Sequence, residues 1–266
     1  MATKKGKQTK SKLNREAQRQ VTEQEARVSN FVSALRRFLN RNLSIVLEEL
    51  EGDKYTAKEA ARVLGGLESA VQDAGLSEQF GKIRELFDER YEAIQEEFKA
   101  TTGKAALLSN FTQQNLNTLV DERLLMASTY VTDYIGDIRS IVLESIVAGR
   151  KIKAREVLDT AEGRALANIE TEVNTTLMAY QRALHLEKAE KAGTDKFLYV
   201  GPDDDITRPF CQEHVDQIFT RDEIDNMDNG TDLPVSLFCG GYNCRHHWRP
   251  VSDELAAEIE GEDSEQ

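Results

Sequence analysis

The chain has 266 residues, of which 39% are hydrophobic and 30% charged, and a net charge of -13. That length allows one large domain or two small ones, and so polar a balance favours long helices over one thick core. No stretch approaches the roughly 20 apolar residues that a membrane-spanning helix needs, and the first residues lack the apolar run of a secretory signal.

The charge is unevenly spread. Within residues 1–20, Lys4, Lys5, Lys7, Lys10, Lys12, Arg15 and Arg19 stand against Glu16 alone. Asp253, Glu254, Glu258, Glu260, Glu262, Asp263 and Glu265 follow Ser252 with no base among them. Residues 1–20 therefore read as a basic flexible arm, either a solvated tail or a segment able to contact DNA phosphates. Residues 252–266 read as an acidic tail, disordered or a frayed helix.

Helix signals fill residues 21–192. Val28, Phe31, Val32, Leu35, Phe38, Leu39, Asn42, Val46 and Leu50 recur at steps of three, four and one and share one helical face, which Gly52 ends. Thr56 with Glu59 is a capping box opening the next helix, which runs to about Gly75. Phe80, Ile83, Phe87, Tyr91, Ile94 and Phe98 mark a further helix, broken at Thr101-Thr102-Gly103. Another spans about Leu107 to Gly149, with Phe111, Leu116, Val120, Val131, Ile138 and Val142 in its apolar set. A short helix over Ile152–Leu158 and a longer one over Ala161–Lys191 complete an elongated helical body.

After Gly193 the texture changes. All four prolines, all three cysteines and the only tryptophan fall between Pro202 and Pro250. Phe197-Leu198-Tyr199-Val200 predicts a strand, Thr220 with Glu223 caps a short helix, and the centre of Tyr242–Pro250 predicts a second strand paired with the first. The fold class is mainly α, with a small C-terminal α+β module over residues 193–251.

The chemistry of that module lies in Cys211-x2-His214 and Cys244-x-His246, with Cys239 in reserve. The first pair is one helical turn apart; the second shares a face if it lies on a strand. Together they offer the four N/S ligands of a structural Zn2+ site, and a module this short and turn-rich gains from such a brace. The other reading is a buried cysteine and surface histidines without metal. Asp203-Asp204-Asp205 reads as a turn before it reads as a Mg2+ site, and no catalytic residue stands out.

At these residues the chain resembles the phage Mu F-like head morphogenesis family, the minor head or minor capsid proteins. The resemblance runs from about Ala161 to Val251. It rests on Thr171-Glu172, on Asp205-Ile206-Thr207-Arg208-Pro209-Phe210-Cys211, on the short helix over Phe219–Met227, and on Asn243-Cys244-Arg245-His246 before Pro250-Val251. His246 stands where many members carry a second Cys, and Gly241 where they carry a His. The resemblance implies a structural, non-enzymatic protein of the phage head, made in the bacterial cytoplasm and active in head assembly or DNA delivery. Its implied partners are the portal protein, major capsid or scaffold proteins and further copies of itself, with no membrane involved. The alternative function is a metal-dependent nuclease or toxin-like effector built on the same module.

Overall fold

The computed structural model describes residues 3–52 and 55–263; the side chains of residues 3–9, 111, 162–163 and 262–263 lie outside what it describes. Six helices come first: α1 (Thr3–Glu48), α2 (Ala57–Leu64), α3 (Leu67–Asp73), α4 (Leu76–Thr102), α5 (Asn110–Val147) and α6 (Ala154–Ala192). Then follow β1 (Lys196–Val200), α7 (Pro209–His214), β2 (Ile218–Thr220), α8 (Arg221–Asp225), α9 (Val235–Phe238), β3 (His247–Val251) and α10 (Asp253–Asp263). The fold is thus mainly helical with a small three-stranded antiparallel sheet near the C-terminus, as the hydrophobic periodicity predicts. Among the described residues no helix is long and apolar enough to cross a membrane.

Two helix boundaries differ from expectation. The helix expected over residues 56–75 divides into α2 and α3 at Gly65-Gly66, where each glycine costs about 1 kcal/mol relative to alanine. The capping box at its start is present, with Thr56 Oγ1 accepting the Glu59 N–H at 3.3 Å and the Thr56 N–H donating to the Glu59 carboxylate at 2.9 Å. The two helices expected over residues 152–158 and 161–191 are one continuous α6.

The chain divides into two compact units. The first joins residues 1–26, 86–121 and 174–266; the second joins 27–85 and 122–173. The sheet-bearing segment is therefore no unit by itself, because helical residues far upstream in sequence belong with it. In the second unit Val28, Val32, Leu35, Leu39, Leu43 and Leu47 form the buried stripe of α1. Glu51 accepts the Ala154 N–H at 2.6 Å, which satisfies an orphan donor at the start of α6.

In the first unit the sheet runs β2-β1-β3, with both neighbours antiparallel to the central β1. Tyr199 faces Trp248 and Val200 faces His247 across the β1–β3 ladder, the pairing the sequence predicts. The strand itself starts later than expected, at His247, so Cys244 and His246 lie in the irregular segment before it. β2 is a strand where the sequence shows a loop. Alternation gives the sheet two buried faces. Phe197, Tyr199 and Trp248 pack into one cluster with all three cysteines; Leu198, Val200 and Val251 pack into another.

That second face corrects two expectations. Leu13 and Ala17 of α1 and Ala256 and Ile259 of α10 close over Leu198, Val200 and Val251. The described part of the basic arm is thus a docked helix, and so is the acidic segment, because each carries two small apolar contacts among its charges. Lys4, Lys5 and Lys7, on which a DNA contact would partly rest, have side chains outside the described residues, as do Glu262, Asp263 and Glu265. Leu13→Ala is expected to lower unfolding free energy by about 2 kcal/mol in urea denaturation, where a solvated arm would give under about 0.5 kcal/mol.

Candidate metal centre

Three of the four expected ligands meet. Cys211, Cys244 and His246 bring their ligand atoms within 4.8 Å of one another, and all three residues are buried. The Cys211 and Cys244 sulfurs are 3.5 Å apart, and Cys244 Sγ lies 3.9 Å from His246 Nδ1. Nε2 of His246 is buried and has no hydrogen-bond partner. Two thiols and an imidazole so arranged can hold a metal ion.

His214 does not join them. Its Nδ1 pairs with the Phe210 carbonyl at 2.6 Å, and its ring stacks on Phe210 at 4.3 Å between centroids. α7 spans six residues and ends at His214, so Cys211 sits within it and His214 turns to the neighbouring aromatic surface of Phe210 and Phe219. The spacing predicts a ligand; a local hydrogen bond and ring stacking claim the side chain instead. Cys239, the reserve, is fully buried beside the pair but outside the set of three. All three cysteines are free thiols.

Several neighbours fix the ligands in place. Tyr199 donates its hydroxyl to Cys211 Sγ at 3.2 Å and stacks its ring on His246 at 5.2 Å and 14°. Arg182, from α6, is 1% exposed and donates to the His246 carbonyl at 2.9 and 2.6 Å, to Cys244 O at 2.7 Å and to Leu237 O at 2.8 Å. One guanidinium thus grips the backbone of two ligand residues. Arg245, between them, pairs both terminal nitrogens with Asp204, at 2.7 and 2.5 Å. That hydrogen bonding holds the Asp204 carboxyl at about 2.

Electrostatics separate the three thiols. Hydrogen bonds from Cys211 and then Cys239 favour the thiolate of Cys244, holding it well below the ordinary thiol range. Donating to that thiolate, together with burial, pushes Cys211 up. Burial alone is the largest cause that raises Cys239, which therefore stays a neutral thiol. Metal binding removes protons from its thiols, so the pair with one thiolate already favoured is the better starting point.

Two glycines make room. A Cβ on Gly240 would lie 2.6 Å from Cys211 Sγ, and one on Gly201 would lie 2.5 Å from His246 Cδ2. Gly240→Ala is expected to weaken cobalt uptake at least tenfold, read by optical titration, because the Cys211 sulfur must move. The same titration on Gly81→Ala, at a glycine with open space around it and no positive φ, controls for the added methyl alone.

A pocket of about 190 Å³ opens beside the centre, lined by Cys211, Cys244 and His246 together with Glu25, Thr207, Arg208 and Arg245. Sequence reasoning missed Arg182 and Glu25, each a charge on a long helix with nothing local to set it apart. Compared with protein-family models, with curated proteins and with solved structures, the chain matches none.

Proposed function

We propose that this is a minor head morphogenesis protein of a tailed phage or prophage, structural rather than enzymatic, whose first unit is braced by Zn2+. The observation that carries the reading is the meeting of two motif halves some thirty residues apart. Thr207, Arg208 and Cys211 come from one, with Asp204 just before it, and Asn243, Cys244, Arg245 and His246 from the other. They are tied by the Cys211–Cys244 contact, the Arg245–Asp204 pair and the Arg208 bond to the Tyr242 carbonyl at 2.7 Å. These are the elements by which the sequence resembles the head morphogenesis proteins.

Zinc suits the donor set. Two thiolates about 2.3 Å from a tetrahedral ion lie about 3.8 Å apart, close to the observed 3.5 Å, and a His nitrogen completes a borderline-soft set. Charge offers a partner for the docked helix, whose Lys10, Lys12, Arg15 and Arg19 are basic on an otherwise acidic protein. On this reading the portal, capsid or scaffold proteins are the partners, the phage head is the site of action, and copies of the chain associate with one another.

The test is co-assembly. Produced with portal and capsid proteins, the chain should sediment with procapsids, and purified protein should hold close to one zinc per chain. A chelator should loosen the first unit by hydrogen exchange, with residues 27–85 and 122–173 unaffected. Absence from procapsids, together with metal-dependent cleavage of DNA that His246→Ala abolishes, would replace this reading with a nuclease.

A further inference from the structure

The expected brace has four protein ligands, and the structure assembles three. Structural zinc sites are closed by a fourth protein ligand, whereas sites with three keep one position for an exchangeable group. Two side chains compete for that position, and neither joins the set of three. His214 is bound to the Phe210 carbonyl and stacked on its ring. Cys239 is buried beside the centre, where its thiol donates to the Cys244 sulfur, and it stands outside the set of three mutually close ligand atoms.

What the three ligands do share is the pocket. Cys211, Cys244 and His246 all line it, and so do Arg208 and Arg245. Arg245 is committed to Asp204 through both terminal nitrogens. Arg208 is exposed and uses Nη2 on the Tyr242 carbonyl, which leaves further donors of its five-donor fork for a ligand. Glu25 on the same wall carries an opposing charge and favours the Arg245 cation. Two thiolates neutralise a divalent ion, and Asp204 and Glu25 balance the two arginines, of which Arg208 is the one whose guanidinium is not paired with Asp204.

We propose that the centre binds its metal through Cys211, Cys244 and His246 alone and presents the fourth position to this pocket, where it takes a phosphate oxygen with Arg208 as the second anchor. The inference rests on the metal reading of the same residues and adds the class of ligand. A guanidinium fork matches the paired oxygens of a phosphate, and the metal accepts a single hard oxygen from the same group.

Cobalt substitution tests it on the full chain. Inorganic phosphate should shift the visible bands of the Co2+ protein and saturate. Arg208→Gln should weaken that response about tenfold with cobalt affinity unchanged, and Cys239→Ala should leave both spectrum and response as they were. A spectrum indifferent to phosphate, with Cys239→Ala losing thiolate charge-transfer intensity, would overturn the proposal in favour of a closed centre with Cys239 as fourth ligand. An equal response to acetate would overturn the phosphate preference. Failure to take up cobalt at all would overturn the metal reading itself, an outcome distinct from the other two.

Discussion

Arg182→Ala is expected to cost the protein about 3–5 kcal/mol of unfolding free energy, a large share of the roughly 5–15 kcal/mol by which an ordinary domain is stable. The side chain is 1% exposed and donates four hydrogen bonds to three carbonyls, those of Leu237, Cys244 and His246. Truncation takes a donor from each of those carbonyls and opens a cavity where the guanidinium lay. Hydrogen bonds to a charged group contribute about 1.5–3 kcal/mol each, and losses within one network do not simply add. Arg182→Lys keeps a charge but not the fork, so it should restore less than half of the loss. Denaturant unfolding followed by circular dichroism gives both values, and cobalt affinity should fall with Arg182→Ala even where the fold survives. A loss under about 1 kcal/mol would mean that the ligand turn holds its shape without α6.

The helical body was readable because its stripes repeat at three and four residues. The β1–β3 pairing was readable because Phe197–Val200 and the run before Pro250 are short and rich in aromatic and β-branched residues. What could not be read are the features decided by packing. β2 is three residues long and gains its hydrogen bonds only from β1. The docking of α1 and α10 hangs on four apolar side chains, Leu13, Ala17, Ala256 and Ile259, in segments whose charges are far more conspicuous.

α6 is the sharpest case. From Asn174 to Lys188 it buries Asn174, Thr175, Thr176, Gln181, Arg182, His185 and Lys188, so polar residues there mark interior contacts and not a solvated face. Lys188, for instance, donates to Gln95 and to the Ala106 carbonyl and lies 5.8 Å from the Tyr91 ring centroid. The metal trio was legible as residue types. Its membership was not, because the choice between His214 and a three-ligand set was made by the Phe210 carbonyl, which no spacing rule contains. Even Cys244 and His246, which do lie close together, meet in the irregular segment before β3, and the alternation expected of a strand is not what joins them.

Acid should unfold this protein earlier than its carboxylates alone would require, and His185 and His247 are the reason. Both are buried, with 0% and 1% exposure, and their rings lie 5.5 Å apart. Burial pushes both well below the ordinary histidine range; Arg90 adds to it for His185 and Arg249 for His247. His185 Nδ1 is 2.9 Å from the Trp248 carbonyl and so carries the proton, which leaves Nε2 bare, 3.7 Å from the Glu97 carboxylate. Arg90, Arg249 and Lys188 oppose a positive charge there, while the Trp248 carbonyl favours it and the Glu97 carboxylate lies within reach; around His247, Arg249, Arg90 and Arg182 all oppose it. The folded state keeps both rings neutral, whereas the unfolded chain protonates them below about pH 6.5. Stability is therefore full above that pH and falls as pH drops below it, by about 1.4 kcal/mol per pH unit for each histidine until the folded rings themselves protonate. Between pH 6.5 and 5.5 the wild-type chain, stripped of metal so that ligand protonation does not enter, should lose about 2 kcal/mol in urea unfolding. His185→Gln should roughly halve that slope, since an amide keeps a donor for the Trp248 carbonyl and takes up no proton. A slope unchanged by His185→Gln would place the acid sensitivity on other groups, and the buried pair would then be a packing feature with no bearing on pH.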